Sequence, residues 1–171
     1  MSQATPLMRI PVGVVVERCK ASSPWIEHVW RAVAVLAGRP EAAPWTPLAV
    51  AEESATFYAG GADIELFRSD TTYYRDNLAS GTAALWVVLR PTETDPPYQI
   101  LAVTANPAEG EAFTEPGTDL VEIVPMPDLV REAVAAFVAE HHVEQVFFKR
   151  KRDRADPQAL ARRGVIREDE E

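Results

Sequence analysis

Residues 8–19 (MRIPVGVVVERC) run apolar and β-branched before turning polar, which predicts a strand buried on both faces for much of its length. Ala21-Ser22-Ser23-Pro24 supplies a turn, and IEHVWRAVAVLAG follows. In this second run Trp30, Ala32, Ala34 and Leu36 alternate with Val29, Arg31, Val33 and Val35, so it reads as the partner strand of a hairpin. A helix over residues 24–37 is the competing reading, because Trp25, Val29, Trp30 and Val33 also fit helical spacing and Ser23-Pro24 suits a helix start.

The stretch RPEAAPWTPLAV carries three prolines, which excludes a central strand or a helix interior and leaves a packed loop or an edge, with Trp45 pinning it to the core. Residues 55–59 and 62–68 flank Gly60-Gly61, a pair that predicts a tight hairpin turn. Residues 71–78 (TTYYRDNL) fit neither period clearly, and Ser80-Gly81 closes them with a turn. Residues 83–89 (AALWVVL) predict a central strand, with residues 98–104 (YQILAVT) as its antiparallel neighbour across a polar loop. Residues 105–118 read as a loop rich in Glu, Pro and Gly, and Val121 and Ile123 mark a last strand before Pro125.

The clearest helical pattern comes last. Pro127 suits the first helical position and Asp128 the first turn, while Val130, Val134, Phe137, Val138 and His141 form one apolar stripe able to lie across a sheet. The helix is predicted over about 127–146, after which charge takes over. The fold class expected is α+β: mainly antiparallel β, a sandwich or small barrel of about seven strands, with one C-terminal amphipathic helix and a charged tail. Residues 1–147 then make a single domain, and residues 148–171 a tail too charged to fold alone.

Charge changes the picture more than bulk composition does. The net charge is −9, yet seven basic residues and two acidic ones fall between Lys149 and Arg163, leaving 10 basic and 24 acidic residues, or −14, on the rest. Such a body repels nucleic acid and anionic membrane, so nucleic acid is the less favoured partner. The single cysteine, Cys19, excludes an internal disulfide and a cysteine zinc cluster, and its apolar neighbours mark a small strand residue rather than a nucleophile. No apolar run approaches the roughly 20 residues of a membrane-spanning helix. The N-terminus MSQATPLMRIP has no signal-peptide pattern, so the cytoplasm is the expected compartment.

Candidate chemistry is sparse. His141 and His142 are adjacent, which on a helix sets them about 100° apart and prevents shared ligation of a metal. The chain has no GxSxG, no GxGxxG and no GxxxxGK[ST], and its many carboxylates show no selecting spacing. Val33 to Gly38 (VAVLAG) is superficially like the opening of nucleotidyltransferases that build molybdenum-cofactor dinucleotides, but Arg39-Pro40-Glu41 follows where those enzymes continue with glycine. No metal and no cofactor is expected. Two constellations remain: Trp25, His28 and Trp30 as a pocket for a flat ligand, and Phe147, Phe148, Lys149, Arg150, Lys151, Arg152 and Arg154 as an aromatic anchor followed by cations for an acidic partner.

Several segments taken together carry a family resemblance: Val12-Gly13-Val14 with Glu17-Arg18, WIEHVWRAVAV at residues 25–35, Asp63-Ile64-Glu65-Leu66, Tyr74-Arg75-Asp76-Asn77-Leu78, Met126-Pro127 and Phe148-Lys149-Arg150-Lys151-Arg152. The chain resembles a small uncharacterised bacterial family, a domain of unknown function whose members are encoded beside molybdenum-dependent formate dehydrogenase genes. The resemblance implies a non-enzymatic accessory protein for assembly or maturation of that enzyme or a related molybdoenzyme, with a dehydrogenase subunit or maturation factor as partner. The alternatives are a nucleotide- or pterin-binding enzyme of molybdenum-cofactor metabolism, and a nucleic-acid-binding regulator acting through the basic tail.

Overall fold

The valine-rich first run becomes the axis of the molecule. In the computed structural model, which describes residues 4–115 and 117–144, it forms β1 (Met8–Lys20), and Val12, Val14 and Val16 are fully buried. β1 pairs antiparallel with β2 (His28–Ala37) on one side and β4 (Ser54–Leu66) on the other, and β3 (Thr46–Val50) joins β4 at the far edge. This four-stranded sheet has the order β2-β1-β4-β3. A second sheet, of order β6-β5-β7, is built from β5 (Ala84–Pro91), β6 (Tyr98–Thr104) and β7 (Leu120–Pro125), again antiparallel. Among the described residues the strands thus number seven, in two sheets rather than a closed barrel.

Among the described residues the α-helices number three where the sequence predicts one: α1 (Thr71–Ala79), α2 (Pro107–Ala112) and α3 (Asp128–His141). α2 replaces part of the expected loop at residues 105–118 because Asn106 caps it, its side-chain oxygen accepting from the N–H groups of Ala108 and Glu109, with Pro107 in the first turn. α1 resolves the ambiguous stretch as helix, with Tyr74 and Asn77 buried. α3 buries Val130, Val134 and Phe137, as its stripe predicts, in the same core as the strands, and it lies beside α1. It also ends earlier than predicted. His142 leaves the helical conformation, its Nδ1 lying 3.1 Å from the Thr71 hydroxyl and its Nε2 2.9 Å from an Arg75 guanidinium nitrogen, so contacts with α1 take over from the helical ladder. Residues 145 and 146 of the predicted span, and residues 148–171, lie outside the described residues.

The Gly60-Gly61 pair is not a hairpin turn. β4 passes straight through it, and the register changes from Val14 opposite Gly60 to Val15 opposite Tyr58, which leaves Ala59 as the extra residue of a bulge. Gly60 absorbs the distortion with φ +140°, a conformation that side chains disfavour. Gly61 serves a different purpose. β2 and β3 occupy opposite edges of their sheet, so residues 38–45 must join those edges, and Arg39 and Pro40 pass over β1 and β4 on the way. They do so where Gly13 and Gly61 face each other: a Cβ on Gly13 would stand 2.9 Å from the Tyr58 ring and 3.1 Å from Pro40, and one on Gly61 would overlap the Arg39 side chain.

One core fills the space between the sheets. Val12, Val14, Val16, Ile64 and Leu66 meet Leu85, Val87, Leu89 and Val124, and α1 and α3 extend the same cluster through Tyr74, Val134 and Phe137. Complete burial of each such side chain contributes about 1.5–3 kcal/mol relative to exposure. The Tyr74 and Phe137 rings meet edge to face at 6.1 Å.

Candidate binding groove

Strand alternation sets what lies at the end of the larger sheet where the β1–β2 and β3–β4 turns meet. Val16 points into the core, so Arg18 and Lys20, two and four residues on, project from the same face of β1 beyond the aliphatic interior. Their cross-strand partners on β2 are Trp30 and His28. The turn between β1 and β2 and the turn between β3 and β4 come side by side, because the Lys20 N–H donates to the Glu53 carbonyl at 2.9 Å. Between them opens a groove of about 500 Å³, with Trp25, Ile26 and Glu27 from one turn and Glu52 and Glu53 from the other.

Beneath the groove lies an aromatic layer. Trp30 meets Trp45 edge to face at 5.9 Å, Phe57 at 6.1 Å and Tyr98 of the second sheet at 6.2 Å. Trp45 holds the left-handed φ of +67°, sustained by these ring contacts and by its N–H bond to the Tyr58 carbonyl. The Arg18 guanidinium rests on this layer, 5.7 Å from the Trp30 ring centre and 5.3 Å from that of Phe57. Arginine side-chain hydrogen bonds among the described residues belong to Arg9, Arg39, Arg75, Arg90 and Arg131, so none of the described residues engages the donors of Arg18.

The sequence-predicted trio is therefore only partly assembled. Trp25, 91% exposed, stands at the rim of the groove and His28 lines its wall, whereas Trp30 lies one layer down, beneath Arg18. Phe147, Phe148, Lys149, Arg150, Lys151, Arg152 and Arg154 lie outside the described residues. Sequence reasoning missed Arg18, Lys20, Ile26 and the Glu52-Glu53 turn. The alternation Val16, Arg18, Lys20 was the signal for the first two, since it continues the inward face of β1 into charge.

Elsewhere the nucleophile and metal candidates are accounted for locally. The Cys19 thiol donates to a Glu17 carboxylate oxygen at 3.2 Å, and that bond, with burial and the carboxylate charge, pushes the thiol up and keeps it protonated. The His141 ring lies 4.5 Å from the Phe137 ring, and His142 is held by Thr71 and Arg75. Among the described residues no group of three or more His, Cys, Asp or Glu is placed to hold a metal ion, and no helix is long and apolar enough to cross a membrane.

Fold and site together define an α+β domain of two antiparallel sheets with a mixed-charge groove beside the turns of the larger one. The chain belongs to the family described as "Protein of unknown function (DUF3305)", which it matches over residues 11–152. No curated protein and no solved structure matches it.

Proposed function

We propose that this protein is a non-enzymatic accessory protein that helps assemble or mature a formate dehydrogenase or a related molybdoenzyme, and that it engages its partner through the groove. One observation supports the binding role: Trp25, 91% exposed, and Ile26, 56% exposed, stand together at the groove rim above a guanidinium already stacked on aromatic rings. Tryptophan and arginine are the side chains that most often dominate binding energy at protein contacts, and an indole this exposed adds little to the stability of the isolated chain. The choice of partner rests on the family resemblance and its gene neighbourhood. Basic residues 149–154 supply a second contact, for an acidic surface or an anionic cofactor intermediate.

Co-purification tests the proposal. Tagged full-length protein from cells making the dehydrogenase is expected to bring down a dehydrogenase subunit or a maturation factor, and Trp25→Ala to lose it. Recovery of neither from the wild type overturns the proposal.

The alternative, a nucleotide- or pterin-binding enzyme, draws on Trp25 and His28 lining one groove. It requires saturable calorimetric binding of a guanine or cytosine nucleotide or of molybdopterin, abolished by His28→Ala.

A further inference from the structure

The groove offers a cation held in place in advance. Stacking on Trp30 and Phe57 restrains Arg18 while none of the described residues accepts from its in-plane N–H donors, the condition under which a guanidinium grips a planar oxyanion through two parallel bonds. Lys20 adds positive charge and His28 a hydrogen-bonding ring on the strand side, while Glu27, Glu52 and Glu53 stand on the turn side. None of these six takes part in an ion pair among the described residues. A doubly charged phosphate would gain from Arg18 and Lys20 but share the groove with three carboxylates. A single carboxylate followed by a cation complements both sides.

The geometry points to a partner peptide segment as the occupant: an acidic side chain on Arg18, an apolar side chain under Trp25 and Ile26, and a basic side chain facing Glu52-Glu53. The assignment rests on the protein-contact reading of the groove and specifies the chemistry that contact selects. Arg18 is its anchor because neither Trp25, which reads only apolar area, nor Lys20, a mobile point charge, distinguishes a carboxylate from other polar groups.

Selection of a random-sequence linear peptide library on purified full-length protein tests it, with the blue shift of tryptophan emission as the readout for individual binders. Enriched sequences are expected to combine Asp or Glu with an apolar residue and Lys or Arg within a few positions. Replacing their acid by its amide should weaken binding at least about tenfold, and Arg18→Gln should do the same, with Arg18→Lys failing to restore it. Trp25→Ala, at an exposed position that leaves folding intact, should abolish both the spectral shift and the binding. A library that yields no binder, binders without acidic enrichment, binders indifferent to Arg18→Gln in a folded variant, or pyrophosphate that saturates the site at lower concentration than the peptides would each overturn the assignment. The assay contains no dehydrogenase, so its failure is separable from failure of the accessory role, which is judged by co-purification alone.

Discussion

Asn77 and Ala84 exchange two hydrogen bonds: the Asn77 amide nitrogen donates to the Ala84 carbonyl at 2.8 Å, and the Ala84 N–H donates to the Asn77 side-chain oxygen at 3.0 Å. The same amide nitrogen also donates to the Ala105 carbonyl at 3.0 Å. One buried side chain thus ties the end of α1 to the start of β5 and the end of β6. It gives Asn77, within the YRDNL segment, a structural role.

Replacing it should be costly. Asn77→Ala leaves one N–H and two carbonyls at this junction without their partner, and each buried unsatisfied group costs about 1–3 kcal/mol. A loss of about 2–4 kcal/mol is expected, read as a lower urea midpoint with an unchanged slope.

Tyr74 makes stability fall in alkali. Burial is the main cause that raises its phenol from its ordinary range to about 12, and the hydroxyl accepts the Phe67 N–H at 3.1 Å. The unfolded chain therefore loses this proton first. The stabilisation is fully present below pH of about 10 and disappears as pH rises toward about 12, a loss of up to about 2 kcal/mol. Denaturant titrations across that window should show a smaller decline for Tyr74→Phe than for the wild type.

The crossing of residues 38–45 over the sheet predicts a contrast between a glycine and an arginine. Gly13→Ala must displace the Tyr58 ring and Pro40, an overpacking cost of about 1–3 kcal/mol. Arg39→Ala removes an exposed pair with Asp63 together with the half-exposed stem that lies over Gly61, and should cost less than about 1 kcal/mol. Thermal unfolding of the two variants measures the difference.

Two tryptophans five residues apart should behave oppositely. Trp30→Ala removes the centre of the aromatic layer beneath Arg18 and should cost about 3–5 kcal/mol. Trp25→Ala should change stability by less than about 0.5 kcal/mol, because its ring is exposed. Chemical denaturation of the pair checks both, and partner recovery should fall for Trp25→Ala even though its fold is intact.

Cys19 should alkylate slowly. Its thiol is held protonated by Glu17, so iodoacetamide at neutral pH is expected to react more slowly than with a free thiol, and Glu17→Gln should speed it up.

Much of this architecture was legible in the chain. Alternation and turn residues marked the β1–β2 hairpin, the proline-bearing edge at β3, the antiparallel pairing of β5 with β6 and the buried stripe of α3, because each reflects a local period facing one core. The Asn106-Pro107 start of α2 is equally local, although the Glu, Pro and Gly around it read as loop. What the chain alone could not decide depended on partners distant in sequence. Gly60 reads as a turn until its register against Val14 and Val15 makes it a bulge. Gly13 and Gly61 look unremarkable until a loop from elsewhere must pass over them. Arg18 is one charge among many until strand pairing seats it on Trp30 and Phe57. Local sequence carries the periodicity of each element. The groove came from tertiary structure because long-range pairing sets which side chains become neighbours.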